Sequence, residues 1–406
     1  MVRRKFLILQ VIHITYEWVE RQVRLLWRLA RDINAKCFVS FANRDRVAKG
    51  VDLTTLRNMC LPNCTSNHSL RLNSTSSENC TVFDGSSLSG KYIKTFAYIL
   101  IMLVSLFGNL AVIVVVARNK RMWTPTNILI ANVAASDLLI STFAIPRELV
   151  EIFAGRERWL IDGTTGLILC KFVFFFQDIS IAVSIESLMV IAIDRYRGIV
   201  FPFRPPLITA RVCKVLIPII WIVAMCLHAP YFYTARLVMR DNKQYCTFSW
   251  APKFDERQTQ EGYFSLLVIF LIFLPVSVIL TLYTLIVFEL KRKVQDSGAL
   301  DVRRQRLKQD AAIMKRILII VLILVLCTTP ITVSALVFYF AWDWQLPCGM
   351  DILLSAAKFV LYLNASLNPC VYIVLSEKYR QGLKDFARCC SFNGSSSNVI
   401  EMTVQN

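Results

Sequence analysis

Asp194, Arg195 and Tyr196 close a long apolar stretch that opens at Cys170 and reads CKFVFFFQDISIAVSIESLMVIAI. An acid beside a base at the end of a membrane-length segment is costly unless the two are paired or used. Interfacial anchoring accounts for Arg195, Arg197 and Arg204, because arginine is ordinary at a cytoplasmic helix end. It leaves the adjacent acid and the Asp-Arg-Tyr order unexplained. A charge pair of this kind can be held in one state and released in another. If the stretch is helical, Gln177, Ser184 and Arg195 fall on one stripe, 7 and 11 residues apart and close to whole turns.

Other polar residues interrupt apolar runs elsewhere. Asp137, in NVAASDLL, is ionisable within a span, where a functional role is the default reading. Pro146 should kink the outer half of that span, with Arg147, Glu148 and Glu151 beyond it. Glu148 and Glu151 are three residues apart on one helical face, where they can meet a ligand arginine. Pairing with Arg147 and Arg158 is the competing arrangement. Gln177 is a neutral donor and acceptor, suited to a terminal carboxamide rather than an ammonium. Lys358 adds a cation to the same outer region and would instead favour an acidic or lipid-like ligand. Glu186 lies about half a turn from the Gln177 stripe and is expected to bond a neighbouring helix.

These residues need elements to hold them. The chain has 406 residues, 55% hydrophobic, with a mean hydropathy of +0.51. Seven apolar runs reach membrane length, at 94–118, 127–150, 167–193, 212–235, 263–288, 315–341 and 352–375. The expected fold is an all-α membrane protein, a seven-helix transmembrane bundle with a short amphipathic eighth helix. The net charge of +18 does not call for nucleic acid. Its bases cluster in short connections after the first and fifth spans, as at Arg118–Arg121 and Lys291–Lys293, following the positive-inside rule. The N-terminus is then extracellular and the C-terminus cytoplasmic, in a multi-pass protein of the plasma membrane. Sequons at Asn63, Asn67, Asn73 and Asn79 agree with that orientation, since glycans require the lumenal side.

Five regions follow. Residues 1–57 form an extension of unclear status, with a short apolar run and a basic stripe through Arg21, Arg24, Arg28 and Arg31. Residues 58–92 read as an extracellular, glycosylated tail, 93–376 as the bundle, 377–390 as an amphipathic juxtamembrane helix and 391–406 as a cytoplasmic tail. Trp159 reads as an interfacial anchor. Cys170 and Cys246 both fall outside, in an oxidising compartment, and are taken as a disulfide. Cys60, Cys64, Cys80 and Cys348 are external too, and their pairing is not legible. The stretch RLVMRDNKQYCTFSW suits a polar hairpin lid. Cys389 and Cys390 close the juxtamembrane helix as palmitoylation sites.

Over 91–390 the chain resembles the rhodopsin-like (class A) G-protein-coupled receptors. The resemblance rests on Gly108-Asn109, Asp137, Cys170 with Cys246, Asp194-Arg195-Tyr196, Trp221, Pro275 with Tyr283, Pro330, and Asn368-Pro369-x-x-Tyr372. IAIDRYRGIVFPF and Gln177 resemble neuropeptide receptors of the RFamide and neuropeptide Y-like kind. The resemblance implies an extracellular agonist, here a neuropeptide, and a cytoplasmic cleft for a heterotrimeric G protein. Arrestin, receptor kinases and membrane lipid are further implied partners. It implies no catalytic chemistry and no cofactor beyond a sodium ion held by Asp137, Ser184, Asn364 and Asn368; a polar network without metal is the alternative there. It assigns coupling to Asp194, Arg195, Tyr196, Tyr283, Asn368, Pro369 and Tyr372. The ligand set is Gln177, Glu148, Glu151, Lys358 and Tyr362. Tyr362 stands where an opsin carries its retinal lysine, which excludes a Schiff base. Asp178 lies about 100° round from the aminergic position held by Gln177 and reads as a poor substitute. Leu324 and Thr328 depart from the aromatic residues usual in the sixth span.

Overall fold

Seven helices among the described residues are long and apolar enough to cross a bilayer. The computed structural model describes residues 88–296, 301–347 and 350–384, with the side chains of 294–296 and 301–310 outside that description. The readings on 1–57, on the sequons Asn63, Asn67, Asn73 and Asn79, on Cys60, Cys64, Cys80 and Cys348, and on Cys389 and Cys390 lie outside the described residues.

The helices are α1 (Leu88–Arg118), α2 (Pro125–Ala154), α3 (Gly163–Val200), α4 (Ala210–Thr234), α5 (Glu256–Lys293), α6 (Asp301–Phe340) and α7 (Met350–Leu375). A further helix, α8, covers 377–384. Local chemistry sets the starts. Thr124 caps α2 with Pro125 in its first turn, Thr209 caps α4, and Asp255 caps α5 by accepting from the Gln258 N–H. Polar ends still complete backbone hydrogen bonds, so the helices overrun the apolar runs. The chain does not break at Asp194: α3 carries Asp194, Arg195 and Tyr196 within its last turns and ends only at Val200.

Prolines shape the spans. Ahead of Pro146 the helix widens into a π-turn at Ile140–Ala144, and ahead of Pro275 it does so at Val268–Phe273. A π-turn is how a helix absorbs a lost N–H without breaking. The expected bend in the outer half of α2 takes this form.

Polar side chains staple the helices across the apolar interior. Pro369 has no N–H for the carbonyl of Ala365, four residues before it. Asn109 Nδ2 donates to that carbonyl at 2.9 Å. Gly108 makes the approach of α1 and α7 feasible: a Cβ there would lie 2.8 Å from both Cβ and Cγ of Pro369. Asn132 Nδ2 donates to Ser187 Oγ at 2.9 Å, and Trp221 Nε1 donates to Asn132 Oδ1 at 2.9 Å, joining α2, α3 and α4. Helix α3 is central and packs on α2, α4, α5 and α6.

Outside the bundle, β1 (Ala235–Arg240) and β2 (Lys243–Phe248) form an antiparallel hairpin with Leu237 opposite Cys246. Its two-residue turn is Asp241-Asn242, both at positive φ, the hairpin chemistry that short polar residues tolerate best. The Cys170–Cys246 disulfide ties β2 to the outer end of α3. Trp159 packs on this disulfide with Phe174 and Leu237. It is therefore part of the lid's own small core. At the other end, Tyr379 of α8 stacks on Tyr372 of α7, ring centroids 5.7 Å apart. Gly382 sits so close to α1 that a Cβ would meet Val115 Cγ1 at 2.5 Å. Burial raises the Tyr379 phenol above its ordinary range. The apolar face of α8 is thus used against the bundle.

Replacing Gly108 by Val should lower the thermal midpoint of the detergent-solubilised protein, at a cost of about 1–3 kcal/mol for overpacking. Gly198→Ala should leave the midpoint in place, because nothing lies within 4 Å of a Cβ there. Equal effects of the two would show that the α1–α7 approach is not tight.

Candidate functional site

Titratable side chains gather at three depths. The outermost group spans α2, α3 and α7. Just past the π-turn of α2, Arg147, Glu148 and Glu151 follow Pro146. Glu148 is 6% exposed. Arg147 pairs with Glu148 and with Glu151 at 3.3 Å, and its guanidinium lies 4.5 Å from the Phe174 ring centroid. Lys358 of α7 reaches both carboxylates, at 3.2 Å for Glu148 and 3.1 Å for Glu151. Two acids and two bases therefore share one compact site. Both glutamates have internal partners, Arg147 and Lys358. Arg158, the other partner weighed from sequence, lies instead over the Tyr245 ring.

Tyr362 connects this quartet to α3. Its hydroxyl is 2.8 Å from Gln177 Oε1 and 3.3 Å from Glu148 Oε1, and its one proton serves the shorter contact. Gln177 Nε2 in turn donates to Asp178 Oδ1 at 3.2 Å, and the Tyr231 hydroxyl of α4 donates to Asp178 Oδ2. One chain of polar contacts therefore runs Tyr231–Asp178–Gln177–Tyr362–Glu148–Lys358–Glu151. Sequence reasoning finds Gln177, Glu148, Glu151, Lys358 and Tyr362, and the structure brings all five together. It sets Asp178 aside and misses Tyr231, while the Arg147 pairing it weighed as the competing arrangement is the one found. The signal for Asp178 is its adjacency to Gln177; a residue 100° round a helix still reaches the next helix along.

At mid-depth Asp137 is 2% exposed and accepts from Asn368 Nδ2 at 2.9 Å. The Oδ1 atoms of Asn364 and Asn368 are buried without a partner among the described residues. Ser184 Oγ lies 3.1 Å from Ser136 Oγ. All four expected residues offer oxygen donors, a chemistry that fits a hard cation, and among the described residues Asn368 is the one of them hydrogen-bonded to the Asp137 carboxylate. Glu186, by contrast, has no hydrogen bond or ion pair among the described residues; it sits half-buried on the flank of α3 and misses its expected partner.

The innermost group lies at the foot of α3. Arg195 Nε donates to Asp194 Oδ2 at 3.1 Å and its Nη2 pairs with the same oxygen. Thr126 of α2 is 3.5 Å from that oxygen. Asp194 is buried, whereas the arginine side chain is a quarter exposed. Tyr196 packs edge-on against Phe201. Tyr283 and Tyr372 end in buried hydroxyls that lack partners among the described residues.

Tyr362→Phe should destabilise by about 1–3 kcal/mol, because the Gln177 carbonyl loses its donor. Tyr283→Phe, whose hydroxyl has no such partner, should change stability little. Thermal unfolding in detergent checks both; equal midpoints for the two variants would contradict the assignment.

Comparison with known proteins extends this geometry. A sequence model described as "7 transmembrane receptor (rhodopsin family)" matches residues 108–372. The Substance-P receptor of Rattus norvegicus is 28% identical over 296 residues, 73% of this chain and 71% of that protein. The Pyroglutamylated RF-amide peptide receptor of Rattus norvegicus is 29% identical over 314 residues, 73% of this chain and 70% of that protein. Its counterpart in Mus musculus is 29% identical over 298 residues, 70% and 66% of the two chains.

Proposed function

The chain belongs to the rhodopsin family of seven-transmembrane receptors, and on that basis we propose that it binds a short extracellular peptide with an amidated, arginine-containing C-terminus and passes the signal to a heterotrimeric G protein. It is a receptor, and no enzyme. The observation that carries the ligand reading is the chain of polar contacts from Gln177 through Tyr362 and Glu148 to Lys358. Within it Gln177 and Tyr362 are neutral donors and acceptors suited to a terminal carboxamide, and the β1–β2 hairpin is tied by the Cys170–Cys246 disulfide to the same helix as Gln177. The name of the RF-amide relative supports the same class. The alternative, an acidic or lipid-like ligand drawn by Lys358, loses its basis because both glutamates already engage that ammonium.

The response is a population shift between two packings. At rest Asp194 holds Arg195. On activation the guanidinium swings to backbone carbonyls of the G protein, with Tyr196, Tyr283, Asn368, Pro369 and Tyr372 repacking around it. Asp137, Ser184, Asn364 and Asn368 are the residues that would hold a sodium ion, whose charge would balance the buried carboxylate. The receptor sits in the plasma membrane with its N-terminus outside, glycosylated at Asn63, Asn67, Asn73 and Asn79. Palmitoyl chains on Cys389 and Cys390 anchor its tail in lipid, and receptor kinases and arrestin act on that tail.

The reading is tested by presenting a library of amidated neuropeptides to cells expressing the chain, with calcium and cyclic AMP as readouts. Responders should share an arginine near an amidated end; responses confined to acidic or lipid-like molecules would overturn it. Arg195→Ala should lower agonist-driven nucleotide exchange at least about tenfold, 1.4 kcal/mol, at matched surface expression. Sodium chloride should raise the thermal midpoint above that in equimolar choline chloride, and Asp137→Asn should abolish the difference. A sodium effect that survives Asp137→Asn would remove the ion from the site.

A further inference from the structure

The outer polar network contains three carboxylates and two cations. Arg147 and Lys358 are each engaged twice, by Glu148 and Glu151. The third carboxylate, Asp178, contacts only neutral groups: the Tyr231 hydroxyl and the Gln177 amide, 3.2 Å away. The groups facing it and its Tyr231 partner from neighbouring elements are two tyrosines and a histidine. Tyr263 of α5 lies within electrostatic reach of Asp178, Tyr339 of α6 lies near Tyr231, and His228 of α4 stacks on Tyr231. No ion pair to Asp178 exists among the described residues. A lone carboxylate in a membrane span, ringed by neutral donors, is costly to keep unless a cation arrives to complete it.

We propose that Asp178, and not Glu148 or Glu151, receives the ligand's guanidinium. The inference rests on the amidated-peptide reading above and assigns its cation a seat. A carboxylate has about four lone-pair sites, and the structure uses one on each oxygen. The two parallel N–H donors of an arginine fork need one site on each oxygen, and on Oδ1 they compete with the neutral Gln177 amide. When the guanidinium docks it takes over Oδ1 from Gln177. The freed Nε2–H of Gln177 then turns to the oxygen of the ligand's terminal carboxamide. The glutamates keep their ion pairs and act as a neutral rim. One exchange of donors on Asp178 thereby reads the arginine and arms Gln177 to read the amide.

The test uses two synthetic peptides, one ending in Arg-Phe-amide and its twin with citrulline, the neutral isostere, in place of arginine. Both are applied to cells expressing the full chain, with G-protein activation and surface expression measured together. The wild type should prefer the arginine peptide by at least about tenfold. Asp178→Asn should reduce that preference to within about threefold by weakening the arginine peptide alone. Asp178→Glu, Glu148→Gln and Glu151→Gln should retain it. Should Asp178→Asn fail to reach the surface, Asp178→Ser is measured with the same peptides and the same expected loss of preference. A preference that survives loss of the Asp178 charge, or that disappears in Glu148→Gln or Glu151→Gln, overturns the assignment. Equal potency of the two peptides on the wild type overturns it also, while leaving the peptide reading intact. Silence of the wild type toward both overturns the amidated-peptide reading and this assignment with it.

Discussion

Water does not reach the middle of a bilayer, so a backbone carbonyl that loses its helical partner must find another inside the protein. Pro369 creates such a carbonyl at Ala365, and Asn109 meets it. Much else depends on that one contact. It fixes α1 against α7 at a separation only Gly108 permits. It sets the rotation of α7, so that the neighbouring Asn368 points to Asp137 on α2. Further outward, the same rotation carries Tyr362 to Gln177 and Lys358 to the two glutamates. A bend that costs a hydrogen bond thus aligns the polar face of a whole helix.

Charge is distributed by depth in a way that apolar packing alone would not produce. The outer quartet is dense and internally paired, the middle holds the buried carboxylate of Asp137, and the inner site is a pair on adjacent residues of α3. Adjacent residues on a helix point about 100° apart, so Asp194 and Arg195 meet only because the long guanidinium folds back. Asp194 is buried and its partner is not. Such a pair is easily exchanged for another acceptor, which distinguishes it from the outer quartet, where each ion has two partners.

Much of this is legible in the sequence because membranes leave few choices. Seven apolar runs, the positive connections and the order of polar residues lead to the bundle, the hairpin lid and the residues at each depth. The misses have physical causes. Hydropathy ends the helices too early, because polar residues such as Asp194 and Arg195 continue the backbone hydrogen-bond pattern after hydropathy falls. Counting around one helix sets Asp178 aside, when the partner that matters, Tyr231, comes from another. Lys358 reads as a free cation because its sequence shows no acid nearby, and only folding brings α2 beside it.

The networks also suggest how a signal crosses a receptor whose sixth span lacks its usual aromatic residues. Thr328 Oγ1 returns its hydrogen bond to the Leu324 carbonyl of its own helix, at 2.8 Å. Among the described residues α6 contributes no side-chain hydrogen bond to either the outer quartet or the Asp137 cluster. Helices α2 and α7 contribute to both, through Glu148 and Tyr362 and through Asp137 and Asn368, and α3 joins the first through Gln177. Yet α6 packs along α7 over much of its length. In the proposed response, a ligand that alters the Gln177–Tyr362 contact acts first on α7, and α6 follows through apolar packing rather than through an aromatic switch of its own. Packed helices move between discrete arrangements and do not deform continuously, so a small rotation of α7 can be enough to select the arrangement in which Asp194 lets Arg195 go.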